Sequence, residues 1–233
     1  MAKTFEAMQK NSFSALSSLG FLDLKNRKQL GDLTKTIFTL RQKNQRKAFV
    51  LASCRPGEGV STVLANLATY FTLNQADCKI LVVDANLLSP TLHQMFNLRK
   101  GPGLAEILHD RAQLSDVVQK LSDCDTVHVL TSGEGIKELA GNIVQHRFSS
   151  LMTEAKSQYD YIFVDSAPVM SSTDTLSTAA AADGVFLIIQ SLKVQSEVAL
   201  KSKMLLINNE CEICGVVLNR VLQVIPAWMY RLI

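Results

Sequence analysis

The sequence of 233 residues contains no long apolar run. Apolar runs such as residues 80–83 and 185–189 are far shorter than the roughly 20 residues that a membrane-spanning helix needs. Glu6, Gln9 and Lys10 stand where a secretory signal would have its apolar core. We therefore expect a cytoplasmic protein rather than a membrane-spanning or secreted one.

Cysteine is scarce and irregularly placed. The five cysteines form an odd, scattered set, which argues against a disulfide framework and favours reduced thiols. Cys211 and Cys214 have the spacing of metal ligands, but the sequence offers no second cysteine pair and no paired-histidine motif to complete a tetrahedral site. The pair is read as two thiols or, alternatively, as part of a zinc site.

Glycine and proline are also sparse, with 11 and 5 residues, whereas apolar residues make up 47% of the chain, as in globular proteins. Candidate strands alternate with candidate helices, which predicts an α/β fold with a doubly wound, mostly parallel sheet covered on both faces. We expect one domain over residues 32–222, with a first helix from about Asp32 to Arg41. A flexible extension (1–31) precedes this domain and a tail (223–233) follows it.

The most informative stretch, residues 48–71, is predicted to form a strand, a tight turn and a helix. Gly57 and Gly59 let the backbone turn its N–H groups inward, and the following helix adds the positive end of its dipole. Ser61 or Thr62 supplies a hydroxyl suited to Mg²⁺. This pattern is typical of a phosphate-binding loop (P-loop), and a tight turn without a ligand is the alternative.

One position departs from that pattern. Val60 stands where a P-loop normally carries the lysine that contacts the phosphates. An aliphatic side chain supplies neither charge nor hydrogen bonds there, so the loop is expected to bind weakly or to lack catalysis. Within the same loop, Arg55 is the candidate for a replacement cation.

Two further candidate residues are carboxylates at strand ends. Asp84 ends the apolar run 79–84, and Asp165 ends the run 159–165. Open α/β sheets bind ligands outside the carboxyl ends of their strands, and a divalent cation beside phosphates needs hard oxygen ligands. We therefore predict that both carboxylates act at a Mg²⁺ site. Helix capping or turn formation is the alternative role for each.

From about residue 32 to 221 the chain resembles the cytoplasmic domain of bacterial tyrosine autokinases of the capsule and exopolysaccharide type. These are P-loop proteins related to septum-positioning and partitioning ATPases. The residues that carry the resemblance are Pro56–Gly59 with Ser61 and Thr62, Asn66–Ala68, Asp84 and Ala85 with Pro90, Leu92 and His93, Tyr161–Asp165 with Pro168, and Gly215–Asn219.

The resemblance implies ATP or ADP with Mg²⁺ as cofactors. It places Ser61 on the metal, Asp84 at the metal or as general base, and Asp165 in the second acidic motif, so both aspartates would be catalytic in an active enzyme. Asn219 would contact the adenine. The remaining nucleotide contacts would come from the loop residues Arg55, Gly57, Glu58, Gly59, Val60, Ser61 and Thr62.

Several family features are missing besides the lysine. Asn86 replaces a second acidic residue, and Leu88 and Ser89 replace the basic residues that usually follow it. The helix used for ring assembly retains only Arg41 of its charged set, and the C-terminal tyrosine cluster is reduced to Tyr230.

The function expected first is therefore that of a pseudokinase that regulates or scaffolds exopolysaccharide or capsule synthesis at the inner membrane. The expected partner is a membrane-anchored polysaccharide co-polymerase, with homo-oligomers as a further possibility. One alternative is an active tyrosine kinase or ATPase in which Arg55 replaces the lysine. Another is a nucleotide-dependent positioning protein of the partitioning type.

The basic charge is concentrated in one segment. Residues 25–47 contain eight Lys and Arg residues against Asp32 alone, in a chain whose net charge is +3. Such a segment suits anionic lipid or an acidic partner, and a solvated helix face is the alternative. Aromatic residues are not interleaved with the basic ones, so we expect no nucleic-acid partner.

Overall fold

A computed structural model describes residues 27–74, 78–121, 124–134 and 141–221. The predicted C-terminal tail with Tyr230, and nearly all of the predicted N-terminal extension, lie outside these ranges. No helix in the described ranges is long and apolar enough to cross a membrane.

Helices and strands alternate along the chain, as the sequence predicts. The strands are β1 (Ala48–Ser53), β2 (Ile80–Asp84), β3 (Gln119–Leu121), β4 (Cys124–Leu130), β5 (Tyr161–Asp165), β6 (Gly184–Gln190) and β7 (Ile213–Asn219). The helices are α1 (Arg27–Asn44), α2 (Val60–Asn74), α3 (Leu92–Met95), α4 (Leu104–Leu108), α5 (Leu114–Val117), α6 (Gly141–Gln158), α7 (Asp174–Ala180) and α8 (Ser196–Asn208).

The strands form one seven-stranded sheet in the order β3-β4-β2-β5-β1-β6-β7. Every neighbouring pair is parallel except β3 and β4. Every residue of β1, β2 and β5 is buried, which is the pattern of central strands covered by helices on both faces. The predicted α/β fold with a mostly parallel sheet is confirmed.

Alternate residues of the central strands feed two hydrophobic cores, one on each face of the sheet. On one face Phe49 and Phe163 pack with α1 and α2, where the ring of Phe71 lies 5.2 Å from that of Phe163. On the other face Val50 and Val164 pack with α6, α7 and α8. This two-residue alternation fixes the register of the sheet and therefore the positions of the residues at its carboxyl edge.

The first helix begins at Arg27, not near Asp32, so the predicted boundary between extension and domain falls inside α1. The reason is packing: Leu30, like Leu33, is buried in the core, which adds an earlier turn to the helix. Strand β3 was also not predicted from the sequence, because three residues are too few to show a period.

Much of the basic segment 25–47 is engaged by the domain itself. Arg46 forms an ion pair at 3.3 Å, and the Lys47 ammonium donates to two backbone carbonyls at 2.6 and 3.1 Å. Lys35 and Lys43 remain exposed on α1. The available positive charge in the described part of this segment is therefore smaller than the sequence suggests.

Candidate nucleotide-binding site

The turn between β1 and α2 has the backbone of a phosphate-binding loop. Gly57 and Gly59 have φ angles of 81° and 90°, a region that side chains rarely adopt. A Cβ on Gly59 would also lie 2.5 Å from the amide nitrogen of Asn219. Both glycines are therefore required by geometry, as the sequence predicts.

Glu58 supports this loop from the inside. Its side chain is only 1% exposed, and its Oε1 accepts a hydrogen bond from the backbone N–H of Arg55 at 2.9 Å. Burial raises the pKa of Glu58, while backbone hydrogen bonds lower it by less. Its carboxylate is therefore held by backbone N–H groups of the loop and by that of Gln190 on β6.

A cleft of about 580 Å³ lies between the P-loop and the loops that follow β2 and β5. This volume is within the range of small-molecule sites. Residues 56–62 line one wall, including Ser61 and Thr62, while Asn86 and Thr91 belong to the wall formed by the loop after β2. Arg220, just after β7, also lines the cleft.

The two strand-end carboxylates are neighbours, as the sequence predicts. Asp84 and Asp165 are register partners on the parallel strands β2 and β5. Asp84 is fully buried, and its Oδ2 accepts hydrogen bonds from the backbone N–H groups of Thr91 and Leu92 at 3.1 and 3.0 Å. One of its oxygens therefore serves the turn into α3, as the alternative reading proposed. Burial raises the pKa of Asp84 to about 6.

Asp165 lines the cleft and is 1% exposed. Burial, followed by repulsion from the Asp84 carboxylate, raises the pKa of Asp165 to about 8, and the Ser61 hydroxyl lowers it by less. Among the described residues, neither oxygen of Asp165 accepts a well-formed hydrogen bond, and Oδ1 of Asp84 also has no partner. Buried polar atoms normally have partners, so this pair suits a cation.

The donor set fits Mg²⁺ bound together with a phosphate. The described ranges hold no group of three His, Cys, Asp or Glu side chains placed for a metal ion. Mg²⁺ does not need such a cage, because it keeps several waters and is typically held by one or two carboxylates and substrate phosphates. Asp165, Asp84 and the hydroxyl of Ser61 would hold the ion, which would neutralise phosphate charge when bound.

The three remaining predicted residues lie in different surroundings. Val60 is 7% exposed and belongs to the hydrophobic core, although part of it also reaches the cleft. Arg55 is exposed and is not among the residues that line the cleft. Asn219 donates from its side-chain amide to the backbone carbonyl of Glu58 at 2.8 Å, so it braces the P-loop. Its contact with adenine stays a prediction.

Sequence reasoning missed Arg220. Its guanidinium donates to the carbonyl of Gly57 at 3.4 Å and to the side chain of Gln190 at 3.3 Å, which places a positive charge at the P-loop. The available signal was its position directly after Asn219, at the carboxyl end of a strand. The contact itself depends on the strand order, because β6 and β7 follow β1 in the sheet and the residue after β7 therefore lies near the P-loop.

Comparison with known proteins agrees with this geometry. A family model described as ParA, NUBPL iron-transfer P-loop NTPase, matches residues 44–229. Tyrosine-protein kinase YwqD of Bacillus subtilis (strain 168) is 33% identical over 175 residues, which cover 75% of this chain and 73% of that protein. The chain belongs to the bacterial tyrosine-kinase family. The family resemblance read from the sequence motifs is confirmed.

Two solved structures place this tyrosine-kinase family member among P-loop folds. The chimerical protein CapA2B2 is 28% identical, with a TM-score of 0.73 over 83% of each chain. The septum site-determining protein MinD from Pyrococcus horikoshii OT3, complexed with Mg-ADP, has a TM-score of 0.62 at 21% identity and covers 79% of this chain and 76% of its own. The second likeness shows a shared fold.

The cysteine pair lies away from this site. Cys211 is buried against α7 and α8, and Cys214 on β7 contacts the guanidinium of Arg46 at 3.4 Å. Both cysteines are free thiols, and burial raises the pKa of each. A raised pKa lowers the thiolate fraction and with it reactivity.

Proposed function

We propose that this chain is a pseudokinase: it binds nucleotide with Mg²⁺, transfers phosphate slowly or not at all, and regulates or scaffolds polysaccharide assembly. The observation that carries the proposal is the contrast between two parts of one candidate site. The buried pair Asp84 and Asp165 retains unpartnered oxygens suited to a cation. The phosphate-binding lysine is replaced by Val60, whose side chain packs in the hydrophobic core.

Electrostatics explains why the loop would still bind nucleotide although phosphate transfer is slow or absent. The backbone N–H groups of the loop and the start of α2 attract phosphate in the ground state. A cation on the transferred phosphoryl group stabilises charge in the transition state, and losing such a group costs orders of magnitude in rate. An apolar side chain at position 60 therefore reduces transfer more than binding.

A second candidate function is an active tyrosine kinase or ATPase, and one contact favours it. The guanidinium of Arg220 reaches the P-loop, whereas Arg55 lies outside the cleft lining. Arginine binds phosphate through a planar fork of donors, so Arg220 is the better-placed replacement cation. Binding assays and transfer assays distinguish the two candidates.

The test combines titration of ATP and ADP with Mg²⁺ into the purified chain and measurement of labelled phosphate transfer from ATP. The pseudokinase proposal predicts saturable binding with no transfer above that of the Asp84→Ala variant. Transfer to Tyr230 that disappears in Asp84→Ala would contradict it and support the active enzyme. Absence of binding up to millimolar nucleotide would contradict both.

A gain-of-function variant makes the same test sharper. Val60→Lys restores the ammonium at its usual place, and the pseudokinase proposal predicts that transfer or ATP hydrolysis appears in this variant. Val60→Met is the matched control, because it adds length without charge. Equal activity in the two variants would contradict the role assigned to the missing lysine.

We further propose that the chain acts in the cytoplasm at the inner membrane, with a membrane-anchored polysaccharide co-polymerase as its partner. The family resemblance supports this assignment, and homo-oligomers are part of the same proposal. Contact with anionic lipid would depend on exposed cations such as Lys35 and Lys43 on α1. Sedimentation with phosphatidylglycerol vesicles at low salt tests the lipid contact, and neutral vesicles are the control.

A further inference from the structure

A second cavity of about 290 Å³ lies at the same edge of the sheet, outside the nucleotide cleft. Its polar lining comes from His93, Lys100, Thr131, Ser132 and Glu134. Thr131 and Ser132 directly follow β4, and His93 lies on α3. These residues come from three segments that only the fold brings together.

The loop after β2 separates the two cavities. Asn86 and Thr91 face the nucleotide cleft, whereas Leu87, Pro90 and His93 line the second cavity. The two cavities share no lining residue. A ligand in the second cavity would therefore occupy a site of its own.

Two buried side chains in this lining lack hydrogen-bond partners. Thr131 is 2% exposed and His93 is 9% exposed. Within the described ranges, neither the hydroxyl of Thr131 nor Nε2 of His93 has a partner. Most buried polar side-chain atoms in folded proteins are paired, so two orphans on one small cavity indicate a polar ligand.

The hydrogen-bond donors around the cavity indicate a ligand that accepts hydrogen bonds. The ammonium of Lys100 is the positive charge, and the imidazole of His93 can donate one hydrogen bond in its neutral form. Glu106, close by, is already engaged, because its two oxygens accept backbone N–H groups of Gly103 at 2.6 Å and Glu134 at 3.3 Å. The carboxylate of Glu134 also lies in the lining; it is exposed and opposes the binding of an anion.

We propose that this cavity binds a small oxyanion, a phosphate or carboxylate group, through Lys100, His93 and Thr131. Lys100 supplies the charge, and the imidazole and hydroxyl supply hydrogen bonds from the two orphaned groups. The proposal is independent of nucleotide binding. The cavity would be a second anion site in addition to the P-loop. It lies beside the loop after β2, whose backbone N–H groups at Thr91 and Leu92 donate to Asp84.

Titration of the full chain with inorganic phosphate, and separately with acetate, tests the proposal by NMR of the histidine imidazoles at constant pH and ionic strength. The chain has four histidines, and the His93→Gln variant assigns the His93 signal. We expect a saturable shift of His93 with at least one of the two anions. Absence of a saturable shift with both would overturn the proposal.

Three variants establish where the anion binds. Lys100→Met should weaken the affinity reported by His93 by roughly tenfold, because a charge-assisted hydrogen bond is lost. Thr131→Val, which preserves shape, should weaken it by a smaller factor. Lys43→Met is the matched control on the exposed face of α1 and should leave the affinity unchanged. Equal affinity in Lys100→Met and wild type would overturn the proposal.

The P-loop is a competing anion site, and Gly59→Val separates the two. A side chain at Gly59 would meet Asn219 and obstruct the loop, but it lies outside the second cavity. The His93 shift should persist in this variant. Loss of the shift in Gly59→Val together with its persistence in Lys100→Met would show that phosphate binds the P-loop alone.

Discussion

Binding of Mg²⁺ at the Asp84–Asp165 pair should release protons near neutral pH. Burial raises the pKa of Asp84 to about 6, and burial with the neighbouring charge raises that of Asp165 to about 8. A carboxylate must be ionised to bind a metal, so any proton that the pair holds is displaced. At pH 7 a pair with these values holds about one proton, mostly on Asp165.

The expected release follows from the same values. It is about one proton at pH 7, approaches two near pH 5 and falls towards zero above about pH 9. The apparent affinity for the metal should rise roughly tenfold for each pH unit between about 6 and 8, and then level off. A strong pH dependence at neutral pH is the signature of these two buried carboxyl groups.

Calorimetric titration of Mg-ADP in buffers of different ionisation enthalpy measures the number of protons released. Asp165→Asn is the control, because it keeps the cleft and removes the group that holds most of the proton at pH 7. We expect the release to fall almost to zero in this variant if it still binds the ligand. Equal release in the variant and the wild type at pH 7 would refute the assignment of the proton to Asp165.

Three further predictions concern the same cleft. Without Mg²⁺, Asp165→Asn should be more stable than wild type by up to about 4 kcal/mol at pH 7 and by less at pH 5, as measured by urea unfolding. The reason is that the pKa of Asp165 is raised in the folded state, so the stability of the wild type falls as pH rises from about 4 to 8. Arg220→Ala should weaken ATP binding by roughly tenfold whereas Arg55→Ala leaves it unchanged, and equal effects in calorimetry would contradict the placement of Arg220. Gly59→Val should lower both thermal stability and nucleotide affinity, because its φ of 90° and the close amide of Asn219 leave no room for a side chain.

Much of the fold and the centre of the site follow from local sequence patterns. The P-loop glycines, Ser61 and the two strand-end aspartates were predicted because short-range rules connect them to strands and turns. The alternation of strands and helices gives the parallel sheet for the same reason. Parallel strands bring their carboxyl ends to one edge, so the meeting of Asp84 and Asp165 needed no further information.

Other features depend on strand order, which a local pattern does not carry. Arg220 reaches the P-loop because β6 and β7 lie beside β1, while Arg55 is not among the residues that line the cleft despite its position in the loop. The partners that engage Arg46 and Lys47 likewise come from distant parts of the chain. The second cavity was not predicted, because its lining joins the loop after β2 to the residues that follow β4.

The position of β5 between β2 and β1 has a consequence for how the protein is made. A nascent chain that ends before Tyr161 contains β1 and β2 but lacks the strand that lies between them. β2 can pair with β4 on its other side, but β1 and the open edge of β2 stay unpaired until β5 leaves the ribosome, so productive folding is delayed and chaperone binding is expected during that interval. Asp84 and Asp165 meet only when β5 inserts. A metal-bound nucleotide would then stabilise finished chains alone, through mass action on the folded state.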